Sequence, residues 1–156
     1  ILDSAQIEKF LHKENNKYFT IDVGTGAGFP GIVLATLGRK DLILCEKSKK
    51  KNLFLKVIAK ECNLNIKVFE SKVECLNVPN VKTIVSRAFA PLDGLLRKVK
   101  HFIYSDTNLV LHKGKTYMQE INEAKKFFSF SFKCYNSLTN PYSKILKINN
   151  VREKSE

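Results

Sequence analysis

The glycine-rich segment from Thr20 to Ile32 constrains the fold of this chain more than any other feature. An apolar, β-favouring run leads into a loop with glycine at positions 24, 26, 28 and 31, and an apolar helix-like segment follows. Glycine lets the backbone turn sharply and lets a ligand approach it with no side chain in between. The N–H groups at the start of the next helix face the same place. The segment therefore predicts a cofactor loop after the first strand of an open α/β sheet.

The loop is compatible with two classes of cofactor. The glycines at 26, 28 and 31 match the dinucleotide fingerprint, and Glu46 follows at the spacing of a ribose-binding acid. However, Asp22 would repel a pyrophosphate but could hold an ammonium group, and Pro30 removes one N–H from the turn. S-adenosylmethionine (SAM) has no phosphate and carries a positive sulfonium and an amino-acid tail. The loop therefore favours SAM, and a nicotinamide dinucleotide (NAD) stays open as the alternative.

The charge of the chain points to a polyanionic partner. Its 156 residues include 27 Lys and Arg against 15 Asp and Glu, which gives a formal net charge of +12. Nucleic acid is the first candidate for such a partner, although a generally Lys-rich composition would give the same excess. A lysine run at positions 47, 49, 50 and 51 predicts a phosphate contact, or else a solvated helix start. The lysines at 113, 115, 125 and 126 could extend this surface.

The cysteines and the hydropathy pattern indicate a cytoplasmic protein. The four cysteines, at positions 45, 62, 75 and 134, form no Cys-x-x-Cys pair and lie far from any histidine, so no metal is expected. Free thiols in apolar segments are typical of a reducing compartment. No apolar stretch reaches membrane-spanning length and there is no signal-peptide pattern, so we expect no membrane partner.

Hydrophobic periodicity predicts five strand–helix units followed by a hairpin. A short amphipathic helix over residues 2–11 comes first. The predicted strands cover 18–23, 42–46, 66–69, 81–86 and 109–111, and the predicted helices cover 31–37, 50–62, 92–103 and 117–127. In the 50–62 helix, Phe54, Val57, Ile58 and Cys62 form the apolar stripe. Two further strands, 128–135 and 144–148, are joined by a turn around Asn140-Pro141.

This pattern predicts an open, doubly wound, mostly parallel α/β sheet with a C-terminal antiparallel hairpin. We expect residues 1–150 to form one domain and residues 151–156 to form a polar tail. Ligands bind such sheets outside the carboxyl ends of the strands. Arg87 follows one of these strands within the apolar segment 84–90, so we expect it to be buried. It would then need a partner such as Asp22, Glu46 or a ligand carboxylate.

Five segments occur in an order that resembles one known family. They are Ile1-Leu-Asp-Ser4, Asp22-Val-Gly-Thr-Gly-Ala-Gly-Phe-Pro-Gly31, Glu46-Lys-Ser-Lys-Lys-Lys51 with Phe54-Leu55, Ser86-Arg-Ala-Phe-Ala90, and Lys113-Gly114. Together they resemble the GidB/RsmG family, the bacterial 16S ribosomal RNA guanine-N7 methyltransferases, over nearly the whole chain. The resemblance implies a Rossmann-like SAM-dependent methyltransferase fold, with 16S ribosomal RNA or the small ribosomal subunit as partner. It also implies an N-terminal helical region that we expect to be missing here. We further expect a monomer.

The resemblance also implies which residues bind SAM. Gly24 and Phe29 would contact SAM beside Gly26 of the same loop, Val73 and Glu74 would hold its adenosine end, and Arg87 would line the pocket. Asp22 and Glu46 match the acids that such enzymes place near the methionine amine and the ribose.

The chemistry of N7 methylation needs few protein groups. Guanine N7 carries a lone pair and no proton, so no general base and no dedicated catalytic residue is expected. Methylation at cytosine C5 would need a cysteine nucleophile, but we expect Cys75 to be a buried structural thiol. The segment Asn140-Pro141-Tyr142 is similar to an adenine N6 methylation loop, but we expect it to be a hairpin turn away from the strand carboxyl ends. The alternatives are an NAD-dependent oxidoreductase, a non-catalytic RNA-binding relative and a small-molecule methyltransferase.

Overall fold

A computed structural model describes residues 1–155, and these form a seven-stranded sheet with helices on both faces. The strand order is β3-β2-β1-β4-β5-β7-β6, and only β6 and β7 run antiparallel to their neighbours. In chain order the elements are α1 (Leu2–Ala5), β1 (Phe19–Val23), α2 (Gly31–Thr36), β2 (Leu42–Cys45), α3 (Lys49–Glu61), β3 (Lys67–Phe69), β4 (Val81–Arg87), α4 (Leu92–Val99), β5 (Asn108–Lys113), α5 (Tyr117–Phe127), β6 (Phe128–Asn136) and β7 (Lys144–Glu153).

The central strands are buried on both faces, which explains their continuous apolar sequences. Along β1, Ile21 and Val23 contribute to one apolar core together with Leu95 and Leu96 of α4 and residues of α5. The opposite face of the sheet packs against α2 and α3 in a second core. The predicted fold, an open doubly wound sheet with a C-terminal antiparallel hairpin, is confirmed.

Three details differ from the sequence prediction. The N-terminal helix breaks into α1 and a 3-10 turn at Glu8–Phe10. In α3 the buried residues are Asn52, Leu55 and Ala59, whereas Phe54 and Val57 are about half exposed and Cys62 is exposed. The apolar stripe was therefore placed on the wrong face, because the helix rotates to pack Leu55 beneath the glycine loop. The last strand continues through Glu153, so residues 151–153 are not part of a tail; residue 156 lies outside the described residues.

The hairpin loop lies at the functional edge of the sheet, contrary to the prediction. Tyr142 N–H donates to Asn140 Oδ1 over 2.9 Å, so the segment is a turn, as expected. However, β7 runs antiparallel to β5 with Lys144 opposite Lys113, so the loop before β7 sits beside the carboxyl ends of the parallel strands. None of the helices within residues 1–155 is long and apolar enough to cross a membrane.

Candidate functional site

A cleft of about 610 Å³ opens at the carboxyl ends of the central parallel strands. Every predicted cofactor-binding residue lines it except Asp22. Its lining residues are Gly24, Thr25, Gly26, Ala27, Phe29, Cys45, Glu46, Lys47, Lys51, Ser71, Lys72, Val73, Glu74, Arg87, Ala88, Phe89 and Lys98. The position agrees with the rule that open α/β sheets bind ligands outside the carboxyl ends of their strands.

The glycine loop forms one wall of the cleft in a conformation that side chains disfavour. Gly24 has φ of +65° and Gly26 has φ of +60°, both in the left-handed region. A Cβ atom on Gly24 would lie 2.1 Å from Cδ2 of Phe89, whereas a Cβ on Gly26 would meet nothing closer than 3.9 Å. The ring of Phe89, which the sequence analysis did not single out, therefore packs directly against Gly24. The Ser86-Arg-Ala-Phe-Ala90 segment was the available signal for it.

Asp22 lies beneath the loop and is not among the residues that line the cleft, so its predicted role as a cofactor contact stays a prediction. The residue is completely buried, and its Oδ2 atom accepts hydrogen bonds from Thr25 Oγ1 over 2.5 Å and from Gly31 N–H over 2.7 Å. Its Oδ1 atom has no hydrogen-bond partner within residues 1–155. Burial raises the pKa of Asp22 to about 7, against the hydrogen bonds from Thr25 and Gly31, which lower it. The side chain ties both ends of the loop together.

Glu46 lies where the prediction placed it, at the end of β2 and on the wall of the cleft. Its Oε2 atom accepts from Gly26 N–H over 3.0 Å, and its Oε1 atom accepts from Ser48 N–H over 2.8 Å. These bonds fix the carboxylate between the glycine loop and the start of α3. Each oxygen keeps a further lone pair for a hydroxyl donor.

The far end of the cleft is formed by the 3-10 turn Val73–Cys75. Val73 is buried and gives an apolar wall, and the exposed Glu74 forms an ion pair with Lys98 of α4. This combination of an apolar surface and a carboxylate suits a purine ring with its attached ribose. The structure therefore brings Val73 and Glu74 into the same cleft as Gly24, Phe29 and Glu46.

Arg87 also reaches the cleft, but its predicted burial is wrong. The side chain is 42% exposed, and its Nη1 atom lies 3.8 Å from Asp3 Oδ2, not against Asp22 or Glu46. Its guanidinium group stands over the ring of Phe29, 5.2 Å from the centroid. Arg87 is the last residue of β4, where the strand leaves the core, so the apolar residues around it in sequence do not enclose it.

Neither cysteine near the site has the features of a nucleophile. Burial, reinforced by the neighbouring Glu46 carboxylate, raises the pKa of Cys45 to about 12, so its thiol stays protonated. Cys75 is exposed rather than buried, which corrects the sequence prediction, and it is not among the residues that line the cleft. Within residues 1–155, no group of three or more His, Cys, Asp or Glu side chains is arranged to hold a metal ion.

A second cleft of about 600 Å³ adjoins the first and shares Arg87, Ala88 and Phe89 with it. Its other lining residues are Asp3, Ala90, Pro91, His112, Lys113, Gly114, Glu120 and Ser143. Asp3 belongs to the Ile1-Leu-Asp-Ser4 segment of the family resemblance, but it was not predicted as a site residue.

The lysine run lies beside the mouth of the first cleft. Lys47 and Lys51 line the cleft, Lys49 and Lys50 begin α3, and all four are exposed or partly exposed. None of them forms an ion pair with any of residues 1–155. Positive charge at a helix N-terminus opposes the helix dipole, so these lysines do not serve the stability of α3.

Of the other lysines predicted to extend this surface, two are already paired. Lys113 is nearly buried against Glu120, and Lys126 pairs with Glu123. Lys115 stands over the ring of Tyr142 and Lys125 over the ring of Phe132, so each retains its charge at the surface.

Comparison with known proteins places these features in a family. Residues 1–146 match the GidB family, described as rRNA small subunit methyltransferase G. The ribosomal RNA small subunit methyltransferase G of Rickettsia felis is 34% identical over 151 residues, which cover 97% of this chain and 77% of that protein. The protein of the same name from Orientia tsutsugamushi is 36% identical over 148 residues, covering 95% and 73%.

Solved structures share the fold at low sequence identity. A ribosomal protein L11 methylase from Lactobacillus delbrueckii subsp. bulgaricus superposes with a TM-score of 0.72 at 19% identity, covering 96% of this chain and 76% of that one. Magnesium protoporphyrin IX methyltransferase from Synechocystis, solved with bound SAM, gives 0.65 at 17% identity, covering 96% and 77%. The sheet order, the glycine-loop cleft and the match over residues 1–146 agree, and the chain belongs to the rRNA small subunit methyltransferase G (GidB) family.

Proposed function

We propose that this chain transfers a methyl group from SAM to N7 of a guanine in the RNA of the small ribosomal subunit. Family membership supports the reaction class. The observation that carries the choice of cofactor is that two backbone N–H groups of the glycine loop, those of Gly26 and Gly31, are already bonded to carboxylates.

That observation distinguishes SAM from a dinucleotide. In a dinucleotide site the loop and the helix N-terminus present free N–H groups to a pyrophosphate. Here Gly31 N–H, at the start of α2, donates to Asp22, and Gly26 N–H donates to Glu46. A pyrophosphate would lose these donors and would meet the Glu46 carboxylate on the wall of the cleft. A positively charged ligand without phosphate needs no free N–H donors and is not repelled by an acidic side chain. The residues that line the cleft therefore fit SAM.

The lining residues have separate tasks in this proposal. Glu46 would accept hydrogen bonds from the ribose hydroxyls, Val73 would pack against the adenine, and Glu74 would close that end of the cleft. The rings of Phe29 and Phe89 would exclude water from the reacting atoms. Gly24 would allow the ligand to approach the backbone. Asp22 would act only through the loop that it holds in shape.

The cleft indicates a methyl acceptor that needs no protein base. When bound, SAM supplies an electrophilic methyl group, whose bond to N7 forms as its bond to sulfur breaks, leaving the electron pair on sulfur and the positive charge on guanine. No proton moves, so alignment and exclusion of water are sufficient. Of the described residues, those that line this cleft include no histidine, and the Cys45 thiol stays protonated. A nitrogen with a free lone pair, such as guanine N7, is the acceptor that such a site can methylate.

Labelled SAM and small ribosomal subunits that lack the modification test the proposal. We expect label in the RNA, at N7 of a single guanine after nuclease digestion, and none in ribosomal protein. The Glu46→Gln variant should weaken SAM binding in calorimetry. Label in protein or in a metabolite would contradict the RNA substrate, and binding of SAM with no transfer would indicate a non-catalytic RNA-binding relative. Tight NAD binding with no SAM binding would overturn the cofactor.

A further inference from the structure

The second cleft contains a carboxylate group that is anchored through one oxygen and open at the other. Asp3 Oδ1 accepts from Gln6 Nε2 over 2.7 Å, from Ser137 Oγ over 3.0 Å and from Thr139 Oγ1 over 3.1 Å. Asp3 Oδ2 accepts no hydrogen bond within residues 1–155; His112 Nε2 lies 3.7 Å from it and the Arg87 guanidinium 3.8 Å. The side chain is therefore held in place with one acceptor available to a ligand.

The other polar groups around this oxygen are already engaged. His112 Nε2 donates to the main-chain oxygen of Asp3 over 2.7 Å, and burial lowers the pKa of His112, so the ring is neutral. Lys113 Nζ donates to Glu120 Oε2 over 2.6 Å, and Leu92 N–H donates to the same oxygen. Asp3 Oδ2 is thus a carboxylate oxygen in this cleft that accepts no hydrogen bond from residues 1–155, and Arg87 is the exposed donor beside it.

We propose that the second cleft receives the target guanine, with Asp3 Oδ2 accepting from N1–H and Arg87 donating to O6. This assignment rests on the proposed function and names the base-reading residues of that site. Along the edge of guanine, N7, O6 and N1 follow one another. Across the molecule, the first cleft (the cofactor cleft of the proposed function), Arg87 and Asp3 follow in the same order. Arg87 lines both clefts, whereas Asp3 lines only the second.

The same pair of residues rejects adenine. Adenine carries an amino donor at position 6, which would face the guanidinium donor, and an unprotonated N1, which would face the carboxylate. Adenine would therefore leave both hydrogen-bonding groups unpaired, and a site built to hydrogen-bond one base rejects the other. Asp3 would also favour the reaction itself. As N7 gains the methyl group, the purine becomes positive and its N1–H a stronger donor, so this hydrogen bond strengthens towards the transition state.

Equilibrium dialysis with radiolabelled guanosine and adenosine monophosphates tests the assignment on the whole chain. The cofactor cleft is first filled with saturating S-adenosylhomocysteine, so that the nucleotide has only the second cleft. We expect the guanine nucleotide to bind at least about tenfold more tightly than the adenine nucleotide, within the range for a two-point base contact. Asp3→Asn should remove that preference, because an amide presents a donor where N1–H needs an acceptor.

Two further variants separate base reading from a structural role. Ser137→Ala removes one anchor of Asp3 but keeps the carboxylate, so it should lower thermal stability and keep the guanine preference. Arg87→Leu, at an exposed position, should fold normally and lose the preference. Equal binding of both nucleotides by the unaltered chain, or an unchanged preference in both Asp3→Asn and Arg87→Leu, would overturn the assignment. The RNA-labelling assay tests the proposed function separately. Label in the RNA would support methyl transfer even if the chain did not bind guanine nucleotides more tightly than adenine nucleotides.

Discussion

Asp22 contacts the glycine loop from beneath and not from within the cleft. Its position before the first glycine suggested an ammonium contact, but the side chain is fully buried and bonds Thr25 and Gly31 instead. A carboxyl group in that position costs free energy when ionised, since burial disfavours charge. The stability of the fold should therefore depend on its proton.

We predict that Asp22→Asn changes how stability varies with pH. The folded chain holds the Asp22 proton up to about pH 7, whereas the unfolded chain releases it near 3.8. Between these values the folded state binds more protons, so the Asp22 contribution to stability falls as pH rises. Urea unfolding of both proteins should show that the free energy of unfolding of the variant rises relative to that of the original chain from pH 5 to about pH 7. A constant difference across that range would contradict the predicted ionisation.

Arg87 should serve the site far more than the fold. Its side chain is 42% exposed and its contact with Asp3 is 3.8 Å long, and exposed ion pairs of this kind contribute about 1 kcal/mol at most. We predict that Arg87→Ala and Arg87→Lys both reduce methyl transfer per folded molecule by about tenfold or more, because Lys lacks the planar donor fork. Calorimetric melting should shift little in either variant. Reduced stability with unchanged turnover would instead assign Arg87 to the fold.

At the scale of elements, the glycine loop and the segment after β4 form one packed unit. Gly24 leaves room for the ring of Phe89, and a Cβ at that position would lie 2.1 Å from it, whereas Gly26 faces open space. Both glycines have positive φ, so alanine at either costs about 1–2 kcal/mol in backbone strain. Only position 24 adds a steric clash.

We therefore predict that Gly24→Ala destabilises the chain more than Gly26→Ala in urea unfolding. In a double-mutant cycle, Gly24→Ala should destabilise the chain less when Phe89 is already replaced by Ala, because the clash is then absent. The destabilisation that remains should be the backbone strain at position 24. Additive effects of Gly24→Ala and Phe89→Ala would show that the two residues do not interact. Because Gly24→Ala repositions Phe89 at the cleft, weaker SAM binding in this variant would not by itself prove that the ligand touches Gly24.

The elements that the sequence predicted well are those whose apolar runs are buried on both faces. The parallel strands β1, β2, β4 and β5 lie close to their expected positions because they are almost entirely buried. The edge strand β3 was also predicted, although its residues are largely exposed. The predictions that failed depend on tertiary packing. The rotation of α3 is decided by the sheet beneath it, and the place of the 137–143 loop by the pairing of β7 with β5. The exposure of Arg87 depends on where β4 leaves the core, which local sequence does not encode.

At the scale of the whole molecule, both clefts and a group of exposed lysines lie at the same edge of the sheet. The carboxyl ends of the strands carry both clefts and the start of α3, with its exposed lysines. Part of the net charge of +12 therefore lies beside the clefts, where exposed lysines would be able to hold an RNA backbone. In an A-form duplex guanine N7 faces a groove too deep and narrow to reach, so the guanine that we propose as target would have to leave regular pairing.

This arrangement predicts that RNA binding depends on salt and on the lysines at one edge. Lys49 and Lys50 are the informative pair, because Lys47 and Lys51 also line the cofactor cleft. The double variant Lys49→Ala/Lys50→Ala should weaken binding to small-subunit RNA. The slope of log affinity against log salt should fall by about 0.7–0.9 for each phosphate that the protein no longer neutralises. SAM affinity should stay unchanged. Filter binding across a salt series measures the first quantity and calorimetry the second.

The matched control removes the same charge at the opposite edge of the sheet. Lys40 precedes β2 and Lys60 lies in the last turn of α3, and both are exposed. Lys40→Ala/Lys60→Ala lowers the net charge equally, so a general electrostatic attraction would weaken RNA binding in both double variants alike. If the RNA interface is local, only the Lys49→Ala/Lys50→Ala variant should lower the slope of log affinity against log salt. Methylation of a perfectly paired duplex at the rate seen with ribosomal particles would contradict the expected substrate, since N7 in such a duplex is out of reach of either cleft.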